Sequence, residues 1–295
     1  MELQISVLII TYNRKKELER AVLSAARNKN DKIEIVIVDN NSTDGTEELV
    51  REMQKTVDIP IEYFKMEVNL GVAGGRNEGF KRCRGKYLFS LDDDAEIISD
   101  NFFGELYKYM EEHKDTIAAS VRCFEPSTNR IIKGETIPPN PQIACEELTY
   151  IGGAHILRRS FWEKEGQLYP KQLKYGSEEL YASLIIWDRG KKIEYIPTLT
   201  VHHLPSKINR QSTSSRDINI LINALLIRKL TYPPALLPLL YILFYIRLYK
   251  NKLATGNIRM IRKTIKERYD PKEKNRIKLF TIIKLAKKYG INNLI

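Results

Sequence analysis

Two stretches, ISVLIIT at 5–11 and IEIVIVD at 33–39, are β-branched and apolar almost without interruption. Strands that read this way are buried on both faces, which is the mark of a mostly parallel sheet covered by helices. IEYFK (61–65) and YLFSL (87–91) are weaker copies. Between them the apolar period lengthens to that of a helix over Lys15–Asn28, Thr46–Lys55 and Val72–Arg82. Asp44 followed by Glu47 resembles a capping pair for the second of these helices. The alternation predicts an α/β fold with a Rossmann-like, mostly parallel sheet and helices on both faces.

In such sheets ligands bind beyond the carboxyl ends of the strands, and the polar residues gather there. The first strand ends in Thr11, Tyr12, Asn13 and Arg14, the second in Asp39, Asn40, Asn41 and Ser42, and the fourth in Asp92, Asp93 and Asp94. Three adjacent carboxylates repel one another. They are either a solvated acidic turn or a site for a divalent cation, which prefers oxygen ligands and bridges carboxylates to phosphate. Asp39 is placed to accept from a nucleobase N–H or simply to start a turn. NLGVAGGRNEG (69–79) puts Gly71, Gly74 and Gly75 at a helix start, where glycine is unfavourable unless something approaches closely. Arg76 beside them suits a diphosphate or a base carbonyl, and the bland alternative is a helix packed tightly on the sheet with Arg76 solvated.

The middle of the chain is mixed. A helix is expected over Asn101–His113, strands over Ile117–Arg122, Ile151–Leu157 and Lys192–Ile196, and Pro-rich connections at FEPSTNR and IPPNPQ. A helix with a Ser177 cap is expected over Ser177–Arg189, with Glu178 and Glu179 at its start. Acids there serve the helix dipole or, alternatively, one is a general base. His202 and His203 follow a strand, where alternation puts one of them on each face; a metal ligand and a structural pair are both open.

Charge divides the chain. The overall +11 contains a C-terminal stretch, 206–295, with 20 Lys/Arg against four Asp/Glu, a net +16 that leaves the first 205 residues at −5. A basic extension on an acidic body faces an anionic partner. After the polar SKINRQSTSSRD come apolar helical stretches at Asp217–Tyr232 and Ala235–Tyr249, then basic amphipathic ones at Ile258–Tyr269 and Pro271–Tyr289. The 17 uncharged residues between Lys229 and Arg247 are at the lower limit for crossing a bilayer and are interrupted by Pro233, Pro234 and Pro238. The expectation is helices lying in the membrane interface. A short inserted hairpin is one alternative, and a bundle packed on the body or on a dimer partner is another. Cys83, Cys123 and Cys145 are too few and too scattered for a disulfide framework or a zinc site and fit a reducing compartment. The opening MELQISVLIITYN has an acid where a signal peptide needs a base, so no secretion signal is read.

In order and spacing, SVLIITYNR, IEIVIVDNNSTDGT, NLGVAGGRNEG and GKYLFSLDDDAEI resemble the family-two glycosyltransferases, over about residues 4–204. The resemblance implies a GT-A fold as a catalytic domain at 1–204, with 205–295 a helical extension for membrane association or oligomerisation. It implies inverting transfer of one sugar from a nucleotide-diphosphate-sugar, UDP- or dTDP-linked, to the hydroxyl of a saccharide or lipid-linked acceptor. Thr11, Tyr12, Asn13, Arg14, Asp39, Asn41, Gly71, Arg76, Asp92, Asp93, Gly152 and Gly153 would bind the donor. A divalent cation, Mn2+ or Mg2+, would be held by Asp94, Asp92 and His203, the last preferred to His202 by its spacing from Pro197. Glu179 would be the base, with Glu178 its rival, because this chain has Glu-Glu where the family has Glu-Asp and Ile185 where the family has an arginine. Asp93 is the aspartate expected to tolerate substitution best.

The Gln-x-x-Arg-Trp motif of processive polysaccharide synthases is absent, so single addition is expected. The place of work is then the cytoplasmic face of a membrane, reached peripherally through residues 206–295, with room for a homodimer and no role for nucleic acid. A nucleotidyltransferase using the same metal and diphosphate logic, and a non-catalytic protein binding membrane or nucleic acid through its tail, are the competing classes.

Overall fold

The structure, a computed structural model, describes residues 3–28, 32–132, 141–173, 176–206, 208, 213–250 and 257–294. The chain groups into two compact units. The first is Met1–Leu168 with Lys191–Arg210, and the second is Tyr169–Gly190 with Gln211–Ile295.

The first unit runs β1 (Ile5–Thr11), α1 (Lys15–Arg27), β2 (Ile33–Asp39), α2 (Thr46–Thr56), β3 (Ile61–Lys65), α3 (Gly71–Arg82), β4 (Tyr87–Asp92), β5 (Ala95–Ile97), α4 (Phe102–Glu112), β6 (Thr116–Glu125), β7 (Arg130–Ile131), β8 (Cys145–Glu146), β9 (Ala154–Arg158), α5 (Arg159–Glu165) and β10 (Lys192–His203). They build one sheet in the order β3-β2-β1-β4-β9-β6-β10-β5, with β7 beside β6 and β8 beside β10. The half read most clearly from sequence, β3-β2-β1-β4, is parallel throughout. In the other half β9 runs against both β4 and β6, and β5 runs against β10, so the sheet is mixed.

Local chemistry explains where the expected elements shift. β10 was expected to stop before Pro197, which has no N–H to give a ladder. Instead the register with β6 slips between Ile196 and Thr200, and the strand continues to His203. The strand expected from Ile151 starts only at Ala154, because Gly152 and Gly153 form a turn. On α3 a Cβ at Gly79 would overlap the Leu8 side chain of β1. A Cβ at Gly75 would likewise come within 2.9 Å of Ile10, so these two glycines serve close packing on the sheet, while Arg76 beside them is buried, not solvated. Asp44 accepts from Thr46 N and Oγ1 at 3.3 and 2.6 Å. Glu47 does not reach back but pairs with Arg51 and Lys65.

Glu34 and Glu147 are among the carboxylates buried inside this unit. Glu34, fully buried on β2, accepts from Ser6 Oγ (2.6 Å), from Arg84 N (2.8 Å), and from Arg84 Nε and Nη2 (2.8 and 2.5 Å). Glu147 is also fully buried. Its Oε2 accepts from Ser120 Oγ at 2.7 Å, while Oε1 has no hydrogen-bond partner among the described residues. Burial pushes the Glu147 carboxyl up to about 7, against the Ser120 hydrogen bond.

The second unit holds α6 (Glu178–Asp188), α7 (Thr213–Thr231), α8 (Leu237–Lys250), α9 (Ile258–Arg268) and α10 (Leu279–Tyr289). Pro233 and Pro234 separate α7 from α8, and Pro271–Glu273 is a short 3-10 turn, so the single helix expected over Pro271–Tyr289 is two elements. Ser177 precedes α6 with φ 68° and makes no capping side-chain hydrogen bond, contrary to the expected cap. Every residue from Leu180 to Asp188 is buried, and a helix apolar on all sides needs cover all round. The C-terminal helices provide part of it, with α7 packed on α6. Asp188 Oδ1 accepts from Lys278 N and Thr281 Oγ1, both at 2.7 Å, and Asn223 Nδ2 donates to Gly176 O at 2.7 Å. Residues 169–190, expected within a 1–204 catalytic domain, therefore group with the extension. Residues 137–140 of IPPNPQ, Tyr175 of YGSEELY, and 207 and 209–212 of the polar linker lie outside the described residues.

Removing Arg84 leaves the buried Glu34 with Ser6 and a backbone amide alone. Arg84→Ala is expected to cost about 2 kcal/mol, below the usual loss for a broken buried pair because the Arg84 head is half exposed; denaturant unfolding measures it, and no loss would refute the role. Glu147 folds in its neutral form, with its folded value above the ordinary one. Its contribution to stability is complete below the ordinary glutamate value and is lost as pH rises through about 7. Glu147→Gln should therefore melt several degrees above the wild type at about pH 8 and level with it at about pH 4.

Candidate active site at the carboxyl end of the sheet

Because β1, β2 and β4 are parallel and in register, Thr11 lies beside Asp39, and Ile10 beside Asp92. Their polar ends meet at one edge, as the sequence predicts. The three aspartates that close β4 have different surroundings. The Asp92 side chain is 39% exposed, while Asp93 and Asp94 are 5% and 6% exposed as residues. Asp93 accepts from Thr11 Oγ1 (2.9 Å) on one oxygen and from Arg14 Nη1 (2.9 Å) on the other. Burial pushes its carboxyl up to about 7, more than Arg14 pulls it down. Asp93 thus makes the shortest side-chain hydrogen bonds of the three, which argues against the expectation that it tolerates substitution best.

Asp94 Oδ2 accepts from Arg14 Nη1 (3.3 Å) and Ser206 N (3.2 Å), while Oδ1 lies 3.5 Å from His203 Nε2. Burial and then the neighbouring Asp92 charge raise its affinity for a proton. Asp92, Asp94 and His203 each present one ligand atom, and all three lie within 4.8 Å of one another. Two carboxylate oxygens and an imidazole nitrogen are a donor set suited to Mg2+ or Mn2+, and the charge left by two facing carboxylates is what such an ion offsets. The residues fit the cation. His202 points elsewhere, its ring 5.5 Å from that of Phe124.

Arg76 is 3% exposed. Its Nη2 donates to Gly152 O (2.7 Å) and to Asp92 Oδ1 (3.3 Å). The expected diphosphate hook is therefore an internal brace on Asp92. Gly152 O also pairs with His155 Nδ1 at 2.9 Å. A carbonyl only accepts, so this nitrogen carries the proton and donates. Burial, then the Arg76 charge, holds His155 well below the ordinary histidine value, hence neutral. On the other side of the turn, Ile151 N donates to Ser120 Oγ (2.9 Å), which in turn donates to Glu147. Asp92 N donates to Gly153 O (2.9 Å), and a Cβ on Gly153 would come within 2.9 Å of Asp92 Oδ2. The two glycines are thus a pinned backbone turn against Asp92, and a side chain at 153 would push that carboxylate aside.

The turns after β1 and β2 strap each other. Asn13 N donates to Ser42 Oγ (2.8 Å) and Asn13 Oδ1 accepts from Thr43 N (2.7 Å). Asn13 and Asn41 both have positive φ, 50° and 73°, which asparagine tolerates. Asn41 Nδ2 donates to Glu67 O at 3.0 Å. Gly71, with φ 72°, starts α3, and its carbonyl accepts from Asn40 Nδ2. Asp39 is fully buried, accepting from Ser42 N (2.7 Å) and Tyr63 Oη (2.5 Å). In this conformation neither of its oxygens is open to a nucleobase. Of the expected donor-binding residues, Tyr12, at 36%, and Asn41 are left exposed.

Glu178 and Glu179 open α6 in the second unit, Glu178 buried and Glu179 partly so. His155, Ser120, Glu147 and Ser206 were not foreseen. The first three carry a usable signal, a polar residue inside an apolar strand or its flank; Ser206 carries none, since it acts through its backbone. A cavity of about 570 Å3 lined by Arg27, Asn28, Ile98, Ser99 and Asn101, among others, contains none of the expected site residues.

Comparison with known proteins agrees with this fold. The model of glycosyl transferase family 2 matches residues 6–166. GalNAc(5)-diNAcBac-PP-undecaprenol beta-1,3-glucosyltransferase of Campylobacter jejuni is 35% identical over 145 residues, 49% of this chain and 47% of that protein, so the match spans about half its length. The mannosyltransferase PcManGT of Pyrobaculum calidifontis, solved with GDP-Man and Mn2+, has a TM-score of 0.63 at 18% identity over 99% of this chain and 81% of its own. GalNAc-T7, solved with UDP, GalNAc and Mn2+, has a TM-score of 0.65 at 21% identity over 79% of this chain and 48% of its own. These likenesses identify the fold as GT-A. With the family match covering more than half of the sequence, the chain belongs to glycosyl transferase family 2.

Proposed function

We propose that this protein transfers one sugar, with inversion, from a UDP- or dTDP-sugar to a hydroxyl of a saccharide or lipid-linked acceptor. The work is placed in surface polysaccharide or glycolipid synthesis at the cytoplasmic face of a membrane. The observation that carries the reading is the convergence of Asp92, Asp94 and His203 beyond the carboxyl ends of the strands. It is supported by the C. jejuni relative, whose name gives an undecaprenol-diphosphate acceptor, and by neighbours solved with UDP-GlcNAc or with GDP-Man and Mn2+.

In this reading Asp92, Asp94 and His203 hold a divalent cation, which supplies Lewis-acid charge to the leaving diphosphate. Arg76 and the Gly152–Gly153 turn keep Asp92 in place, and Arg14 with Thr11 keeps Asp93 and Asp94 in place. The nucleotide lies along the 11–14 and 39–42 turns, against Tyr12, Asn13, Asn41 and Gly71. Glu179 takes the proton from the acceptor hydroxyl while its oxygen bonds to the anomeric carbon. The bond from that carbon to the diphosphate breaks on the opposite face, its electron pair leaves with the nucleoside diphosphate, and the configuration inverts.

Asp94→Ala should lower nucleotide-sugar turnover about a thousandfold and abolish the rise in melting temperature that Mn2+ gives the wild type. Undiminished turnover in that variant would refute the metal site, and release of pyrophosphate in place of a nucleoside diphosphate would make the protein a nucleotidyltransferase. Glu179→Gln should lower kcat by about a hundredfold or more while leaving donor binding unchanged. The same loss in Glu178→Gln, with Glu179→Gln active, would move the base to Glu178.

A further inference from the structure

Within the second unit, α8 packs on α7 and buries only Leu240 and Leu248 among its described side chains. It leaves Leu239, Ile242, Ile246 and Tyr249 exposed at 51%, 58%, 47% and 77%. Their spacing of three, four and three residues makes one apolar stripe along the helix. Water-soluble helices put polar side chains on such a face. α10 does something similar. It buries Thr281, Ile282 and Leu285 and exposes Phe280 (74%) and Ile283 (45%), with Lys284 and Lys287 exposed on the same side at helical spacing.

We infer that the α8 stripe and the Phe280–Ile283 face of α10 seat the protein on an anionic bilayer surface. The apolar side chains enter the headgroup boundary, and Lys284 and Lys287 meet lipid phosphates. Charge complementarity chooses this occupant over a second copy of the chain. α8 contains no acidic residue, and residues 206–295 carry +16, so pairing two such extensions would set like charge against like. An anionic leaflet removes that conflict, and lysines near it add attraction that salt screens. The protein lies on the surface, since no described helix is long and apolar enough to cross a membrane and the 14 residues of α8 extend only about 21 Å. The inference deepens the reading above, which puts the acceptor in a membrane, but it is tested without donor or acceptor, so either can fail alone.

The full chain is floated with vesicles of phosphatidylcholine, with and without phosphatidylglycerol. Binding is expected to the anionic vesicles, to weaken with added salt, and to fall at least about tenfold in the double variants I242E/I246E and K284E/K287E. All four positions are exposed, so an unchanged melting temperature shows that the variants are folded. Absence of binding to anionic vesicles, or binding that neither pair alters, would overturn the inference. A dimer in vesicle-free sedimentation that I242E/I246E dissociates would overturn it in favour of a second copy on the α8 stripe.

Discussion

Three carboxylates in succession cannot end a buried strand unless cations meet them, and the arrangement around β4 is organised by that requirement. Asp92 has Arg76, Asp93 has Arg14 and the Thr11 hydroxyl, and Asp94 shares Arg14 and faces His203. The partners come from α3, from the end of β1 and the turn after it, and from the end of β10. Two arginines against three carboxylates leave the Asp94–His203 end short of positive charge. That is also the end where the ligand atoms converge.

The brace behind Asp92 is backbone as much as side chain. Gly152 O is held from two sides by Arg76 and His155, and the preceding amide is held by Ser120. Buried polar groups are costly when left unpaired and restrictive when satisfied. A neutral histidine and a buried serine are thereby used to fix a turn whose glycine touches Asp92. Pre-setting the carboxylate spares a bound ion the cost of ordering its own ligands.

Much of this was legible in the sequence. The uninterrupted runs at 5–11 and 33–39 identify strands covered on both faces, and their boundaries agree with the structure to the residue. The meeting of Asp92, Asp94 and His203 was expected from the family resemblance, and the structure brings their ligand atoms within 4.8 Å of one another. Other features depend on partners remote in the chain. Arg76, Asp39 and Thr11 have the right chemistry for a ligand, but each finds an internal partner first, at Asp92, Tyr63 and Asp93. Asp93 was given no partner from sequence, whereas in the fold it meets Arg14 and Thr11. The antiparallel course of β9 leaves no periodic trace, and the attachment of α6 to the C-terminal helices rests on Asp188 meeting residues some ninety positions later.

The central claim is that Asp92, Asp94 and His203 form one divalent-cation site at the end of the sheet. Anomalous diffraction at the manganese edge, from crystals grown with Mn2+ and UDP, tests it most directly. A single peak within coordination distance of an oxygen of Asp92, an oxygen of Asp94 and His203 Nε2 is the expected result. Bound UDP with no peak there, or a peak coordinated by other side chains, would contradict it.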